Sequence, residues 1–421
     1  MYSAVSPIWS SLLSGSMSVR CSASVTLGSE VILSELPVSG GSLTKSTDGR
    51  QIQQRLTLSV SDEDGTLLGG PGSPLMPLGQ QIVLRAGLAD KALRETYVEM
   101  LPMGVFGIDA PDAENDVPWR MYPNGAWLPT GGTVSVEASD PLAQVGRESF
   151  ITAERPALSA TVRSETERLL QDRLAVSPTW AAGVTGTTTV SRSVTYDTSR
   201  LTTLLNLAEM AGGVAWVNRS GAYELLKQER QLTGVWQLAV ADPDDPDDRG
   251  ALVTWKPSVN RDDLSNAVVI TSEDSLGNPL RGVAYETTGP LAWGGPFGQV
   301  PIVEENRLAT SNSKCQTIAN QRLTQIIAGR SITVSVKCLP NMALDPLDTI
   351  ELVVPNRTIL GLVTSITYPL SQGLMELAVS IPFTEWIVSD QGIAYIESSP
   401  FLDAGFGVGP FGGMTFGGVD G

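Results

Sequence analysis

Histidine is absent from all 421 residues. Its absence excludes Ser-His-Asp and Cys-His catalysis and the usual histidine-based zinc sites. Carboxylate-only chemistry, of the kind many glycosidases use, survives that filter. Cysteine is nearly absent too: Cys21, Cys315 and Cys338 are far apart and show no CxxC spacing, so no disulfide framework is implied. Cys21 and Cys338 fall on apolar positions of expected strands, where buried free thiols are the norm. Positive charge is scarce, with 28 Lys and Arg against 45 Asp and Glu and a net charge of −17. Free-standing nucleic-acid binding needs a basic footprint, and this balance argues against it. Acidic charge ordinarily serves solubility, and an acidic surface also suits a passage through which DNA slides without sticking. No apolar run reaches the length of a membrane span. Met1 to Ser14 lacks a basic n-region and a cleavage site, so no Sec signal is expected and the chain is expected to be made in a cytoplasm. P-loop, GxGxxG, GxSxG and HExxH patterns are all missing.

What is present is dominated by alternation. From Ser331 to Ile381 four apolar runs keep a strict period of two: Ile332, Val334 and Val336; Ile350, Leu352 and Val354; Leu360, Leu362, Ile366 and Tyr368; and Met375, Leu377, Val379 and Ile381. That rhythm, broken by turn residues, predicts an antiparallel meander with one buried face, the closing half of a small β-barrel. The N-terminal region behaves alike, with Val19, Cys21, Ala23 and Val25 alternating, and Leu56, Leu58 and Val60 after them. Short strands at this spacing suggest a barrel or sandwich.

The middle of the chain changes period. Ser164 with Glu167 makes a capping-box pattern ahead of Leu169, Leu170 and Leu174. A second helix is predicted over Ser199–Ala211, closed by Gly212-Gly213, and a hairpin follows through Asn218-Arg219-Ser220-Gly221. A third helix is predicted over Ser311–Ala328. The expected division is a first β-barrel domain at 1–145, an α+β insertion at 146–235, a second β-barrel domain at 236–390 and a tail at 391–421. Overall the fold class is mainly β with an α+β insertion. In the tail Phe401, Phe406, Phe411 and Phe416 recur every five residues. That spacing fits neither helix nor strand, and the glycines beside the phenylalanines oppose a core. The stretch reads either as a disordered terminus or as a docking tail whose aromatics fill pockets on a partner or on another copy.

Few residues suggest chemistry. The run Asp242 to Asp248 could offer carboxylates to Ca²⁺, yet two prolines stiffen it, and it reads as a solvated acidic loop. Asp345 and Asp348 sit three apart in a turn, where aspartate is an ordinary residue. Glu304-Glu305 and Asp262-Asp263 carry less signal still. Arg163, Arg168 and Arg173 are five apart, do not share a helical stripe, and read as solvated or interface arginines. The nine tryptophans are scattered and read as core and interface anchors. No catalytic, cofactor-binding or metal-binding residue is assigned, and no cofactor is expected.

Several stretches, in order, resemble hub or minor tail proteins at the tail tip of long-tailed phages infecting actinobacteria. They are Arg55 to Val60 with Ser61-Asp62, Met103-Gly104-Val105-Phe106-Gly107-Ile108, and the Leu201–Ala211 helix with its Gly-Gly exit. Ser265-Asn266-Ala267-Val268-Val269 and Gly295-Pro296-Phe297-Gly298 follow, then Leu344 to Val354, where Leu347 replaces the family's glycine before Asp348, and the Phe-Gly tail closes the series. The family is similar to the central hub of contractile tails and the base of type VI secretion spikes. The resemblance implies two small barrels per subunit, packed in a homotrimer as a pseudo-hexameric ring. It implies a non-enzymatic structural protein of the virion tail tip. Its implied neighbours are the distal ring and tail tube, the C-terminus of the tape-measure protein, and a tip fibre or adhesin, with DNA passing through non-specifically. Two other readings remain: a carboxylate-dependent peptidoglycan or glycan hydrolase carried on the tail, and a receptor-binding adhesin.

Overall fold

A computed structural model of the chain describes residues 2, 5–47, 50–63, 65–68, 72–91, 97–113, 119–121, 127–129, 132–174, 178–192, 195–196, 199–227, 234–240, 250–258, 264–273, 278–305, 311–354 and 357–383. The acidic run 242–248, Asp262-Asp263 and the phenylalanines of the tail lie outside the described residues. The chain divides into two compact units. The larger comprises Met1–Lys256, Ser335–Val353 and Leu360–Val379. The smaller comprises Pro257–Val334, Val354–Ile359 and Ser380–Gly421.

Alternation does set the strands. In the strand Ile52–Asp62 every second residue is buried, from Ile52 through Leu56, Leu58 and Val60. Two polar residues share that inward face, and both are satisfied there. Gln54 donates to the Val217 carbonyl at 2.6 Å. Asp62 accepts from the Thr66 and Leu67 amides at 2.9 and 3.1 Å.

The strands join differently from expectation. One path runs Leu252–Ser258, Ser331–Cys338, Met375–Pro382, Arg357–Pro369, Val38–Thr47, Ile52–Asp62, Gly132–Ser139, Val98–Ala113, Gln80–Asp90, Met17–Leu27 and Glu30–Leu36. The N-terminal and C-terminal strand regions therefore share a single, mainly antiparallel sheet, and among the described residues no sheet closes on itself. The junction is antiparallel, with Tyr368 opposite Leu43, and both side chains are fully buried. Alternation specifies which face is buried but not which strand lies alongside, so the sequence could not reveal this ladder.

The four C-terminal strands are not a simple meander either. Thr349–Val354, Arg357–Pro369 and Met375–Pro382 are sequential neighbours, but Ser331–Cys338 lies beside the last of them. Lys337 Nζ meets Glu376 Oε1 across that pair at 2.6 Å. The cause is the connection from 339 to 348. It is too long for a tight hairpin, and it buries Asn341, Met342, Ala343 and Leu344 completely. Those residues carry the chain inward instead of back along the strand it has left.

The α+β part of the larger unit packs three helices, Pro141–Arg147, Val162–Leu174 and Arg200–Met210, on a small sheet. In that sheet Thr179–Trp180 runs parallel to Tyr223–Leu226, which pairs antiparallel with Val214–Val217. Leu169, Leu170, Leu204, Ala208, Val217 and Leu225 meet in its core. The middle helix starts a little earlier than Ser164 implied. Thr161 caps it by accepting from the Ser164 amide at 3.2 Å, while Ser164 Oγ accepts from the Thr161 amide at 2.9 Å. Glu167 instead pairs with Arg163 on the surface.

In the smaller unit the helix Asn312–Gly329 covers a sheet of Pro279–Tyr285, Ala267–Glu273 and Pro301–Glu305, in that spatial order. Gly282 permits the close packing: a Cβ there would lie 2.2 Å from the Cys315 carbonyl carbon. Asn266, wholly buried, ties the segment 289–300 to the sheet. Its Nδ2 donates to the carbonyls of Leu291 and Gly298 at 3.0 and 2.8 Å, and its Oδ1 accepts from the Val300 amide at 2.9 Å. Replacing Asn266 by leucine keeps the volume and strands three backbone groups, one buried and two partly buried. The substitution is expected to cost on the order of 3 kcal/mol in urea unfolding of the full chain; a change below about 1 kcal/mol would contradict this account.

Candidate functional site

The most unusual chemistry of the molecule surrounds Asp345, in the larger unit. Its carboxylate takes two buried cations. Lys45 Nζ lies 3.3 Å from one oxygen and Arg219 Nε 3.0 Å from the other. The lysine side chain is 0% exposed and the arginine 4%, whereas Asp345 keeps 21%. Lys45 occupies an inward position of the strand Val38–Thr47, two residues after the buried Leu43. Its ammonium sits 5.0 Å from the Trp216 ring centre and 5.7 Å from that of Tyr368, so aromatic faces supply part of the solvation it lost.

Arg219 stands in the tight turn of the insertion hairpin, where Gly221 adopts a positive φ. From there its guanidinium reaches two further segments. It donates to the carbonyls of Met342 at 2.8 Å, Leu344 at 3.1 Å and Pro102 at 3.2 Å. The Tyr2 ring covers it at 4.8 Å. Tyr368 donates to the same Leu344 carbonyl at 2.5 Å. Asp348 Oδ2 accepts from the Asp345 amide at 2.7 Å and so fixes the loop that presents Asp345. Between them Leu347 has φ +71°, the left-handed region where a branched side chain costs about 1–2 kcal/mol. A cavity of about 600 Å³ opens beside the cluster, lined by Tyr2, Trp216, Arg219, Glu224, Asp345 and Asp348 among others.

Burial governs the charges here. It pushes the Lys45 ammonium down to about 8, against the opposing pull of Asp345. It also works against the Arg219 charge, but Asp345, Tyr368 and Asp348 together outweigh it and hold the guanidinium above its ordinary value. Burial raises Asp348 and Tyr368. A guanidinium spent on three carbonyls and a carboxylate acts as a clamp on main chain. The pair of aspartates is therefore neither a carboxylate dyad nor a mere turn: Asp345 is the counter-ion of two buried cations, and Asp348 shapes its loop.

The remaining residues singled out in the sequence fall elsewhere. Arg168 is no solvated arginine: it bridges Glu154 at 2.9 Å and the buried Glu165 at 3.0 Å. Arg163 pairs with Glu167, Glu304 with Arg322, and the side chain of Arg173 lies outside the described residues. All three cysteines are free; Cys315 and Cys338 are buried, and burial pushes the Cys21 thiol up to about 12. Trp9 is a core anchor, donating to Asn341 Oδ1 at 3.1 Å. Among the described residues no three His, Cys, Asp or Glu side chains converge as a metal site. Sequence reasoning missed Lys45 and Arg219. Lys45 left no signal, because its strand Val38–Thr47 holds only one large apolar residue on that face, Leu43.

No protein-family model and no curated protein matches the chain. Solved structures do. The tail protein from Neisseria meningitidis aligns with 87% of this chain and 98% of its own, at a TM-score of 0.56 and 11% identity. The 43 kDa tail protein of prophage MuSo2 from Shewanella oneidensis gives 86% and 99%, also at 0.56 and 11%. The chain has the fold of phage tail proteins. A PdpA–VgrG complex aligns more weakly, at TM-score 0.51 and 8% identity, over 87% of this chain and 65% of the other. The likeness to tail proteins and to a VgrG agrees with the family resemblance read from the motifs between Arg55 and Val354.

Removing the shared counter-ion should be severe. Asp345→Asn leaves two buried cations unpaired and is expected to lose about 3–5 kcal/mol in denaturant unfolding. Lys45→Met is expected to be near neutral, because Asp345 keeps Arg219. The same lysine gives a pH signature. Unfolded lysine holds its proton to about 10.4 and the folded one releases it near 8. Between those values the unfolded chain binds more protons, so stability should rise with pH, by about 3 kcal/mol in all. Unfolding curves for wild type and Lys45→Met at pH 7.5 and 10 should show the rise in wild type and its loss in the variant; equal slopes would remove Lys45 from this account.

Proposed function

We propose that this chain is a hub subunit of a bacteriophage tail tip, a structural protein and not an enzyme. One observation carries the reading: two separate tail proteins align with it over 98% and 99% of their own lengths. A match of that extent leaves little room on those proteins for an unrelated module. The hub would be a homotrimer in which each subunit's two strand regions act as two ring segments, six in all, matching a hexameric tube. On this reading the distal ring and tube lie on one side, a tip fibre or adhesin on the other, and the tape-measure C-terminus in the lumen.

The hub would also gate the passage of DNA, and the net charge of −17 supports that part of the proposal. A DNA channel works by weak adhesion, and an acidic surface repels phosphates instead of binding them. Assembly in a host cytoplasm followed by residence in the virion tail would fit a chain in which no described helix is long and apolar enough to cross a membrane. The tail beyond residue 391 would dock through Phe401, Phe406, Phe411 and Phe416 into pockets on a neighbour.

Native mass spectrometry of the full chain tests the central claim, with trimers expected; a stable monomer, both purified and released from particles, would overturn it. Removing residues 398–421 is expected to spare that trimer and to abolish attachment of the tip fibre in assembled tails. Loss of the trimer on truncation would contradict the docking role. Clearing of a cell-wall zymogram, abolished by one Asp or Glu substitution, would favour the tail-hydrolase reading instead.

A further inference from the structure

Lys45 sits where no reagent from solvent can reach it, because its side chain is 0% exposed. Among the described residues its ammonium has one hydrogen-bond acceptor, Asp345 Oδ1 at 3.3 Å. Beside it stand the rings of Trp216 and Tyr368, with centres 5.0 and 5.7 Å away. A shielded amine can react only with a group that touches it, and here that group is a carboxyl.

Three features prepare the carboxyl for such a reaction. Attack on a carboxyl carbon drives negative charge onto its oxygens, and Arg219 Nε already donates to Oδ2 at 3.0 Å. The loop that carries Asp345 is fixed, by Asp348 Oδ2 on the Asp345 amide and by the Leu347 amide on the Val363 carbonyl at 2.8 Å. Asp345 also lines the cavity of about 600 Å³ and keeps 21% exposure, so a released water has a way out. Groups held this close in a fixed geometry react as though highly concentrated.

We propose that Lys45 and Asp345 condense into an intramolecular isopeptide bond, which makes this ion pair a site of self-modification. The ammonium first passes a proton to the carboxylate, a transfer that dry surroundings favour because they penalise charge. The Nζ lone pair then attacks Cγ of the neutral acid, and Arg219 steadies the oxyanion on Oδ2. As the C–N bond is completed the C–Oδ1 bond breaks. Oδ1 leaves as water, carrying the acid proton and one proton from Nζ. No oxidant, cofactor or second substrate is consumed. Arg219 also favours the anionic carboxylate, so the first transfer is rare and the bond forms by slow ageing of the folded chain. Fresh protein keeps the ion pair and its pH response. In the product Arg219 retains the amide oxygen, its three carbonyls and the nearby charge of Asp348. The new bond ties the strand Val38–Thr47 to the loop before Thr349–Val354 and closes a covalent loop across a separation of 300 residues.

Intact-mass spectrometry of the full chain tests this, on wild type and Lys45→Met, fresh and after prolonged incubation at pH 7. Aged wild type is expected to lose the mass of one water and to yield on digestion a branched peptide joining Lys45 to Asp345. Lys45→Met, expected above to fold with near-wild-type stability, should keep its mass. Wild type held unfolded in urea should keep its mass as well, since the fold supplies the proximity. The pair reacts through the proton it shares, and that proton is lost as pH rises through the Lys45 value of about 8. Besides Asp345, the charges of Arg219 and Asp140 bear on this amine. Conversion at pH 10 is therefore expected to be at least about tenfold slower than at pH 7. An unchanged mass in aged wild type would overturn the proposal. So would an equal loss in Lys45→Met, which would mark dehydration of an aspartate alone, or equal rates at the two pH values.

Discussion

The architecture turns on one half-buried carboxylate. Asp345 neutralises Lys45 from the N-terminal strands and Arg219 from the insertion, and Arg219 in turn holds main-chain carbonyls at Pro102, Met342 and Leu344. Apolar packing alone would let these segments slide, because dispersion has no direction. A guanidinium with fixed donor geometry does not permit that. Desolvating three charges is costly, and an apolar core of the same shape could be as stable. What the cluster adds is position: the hairpin turn at 218–221 can sit on the sheet in one register only.

Such fixity would suit the structural role proposed above. The larger unit presents a long sheet, and the α+β insertion is docked on it through a polar clamp beside a small apolar cluster of Ile52, Val214 and Trp216. In the smaller unit Asn266 plays a comparable part on a reduced scale, pinning the segment 289–300 by its main chain. In both places irregular backbone is held by side chains that answer its carbonyls and amides.

Much of this was legible in the sequence, and the exceptions have causes. Period-two alternation located the strands at Ile52–Asp62, Ser331–Cys338, Arg357–Pro369 and Met375–Pro382, because burial on one face leaves that imprint. Caps and glycines located the helices Arg200–Met210 and Asn312–Gly329 to within a residue or two. Strand neighbours were not legible: nothing in Leu43 or Tyr368 announces that they lie opposite each other. The motif resemblance noted that Leu347 stands where the family has glycine, and its left-handed φ supplies the physical reason for that glycine. Lys45 and Arg219 escaped notice because a charge looks solvated until its counter-ion, brought by the fold alone, is placed beside it.

The spacing of the clamp along the chain has a consequence for how the protein is made. Lys45 precedes Asp345 by 300 residues and Arg219 precedes it by 126. During synthesis both cations leave the ribosome long before their counter-ion exists. Until then neither can enter a dry interior, since an unpaired buried charge costs several kcal/mol. The insertion hairpin and the N-terminal sheet must therefore stay apart, or wet at their boundary, while the remaining chain emerges. The emergence of Asp345 then licenses their closure, so that one late residue sets the order in which early ones settle.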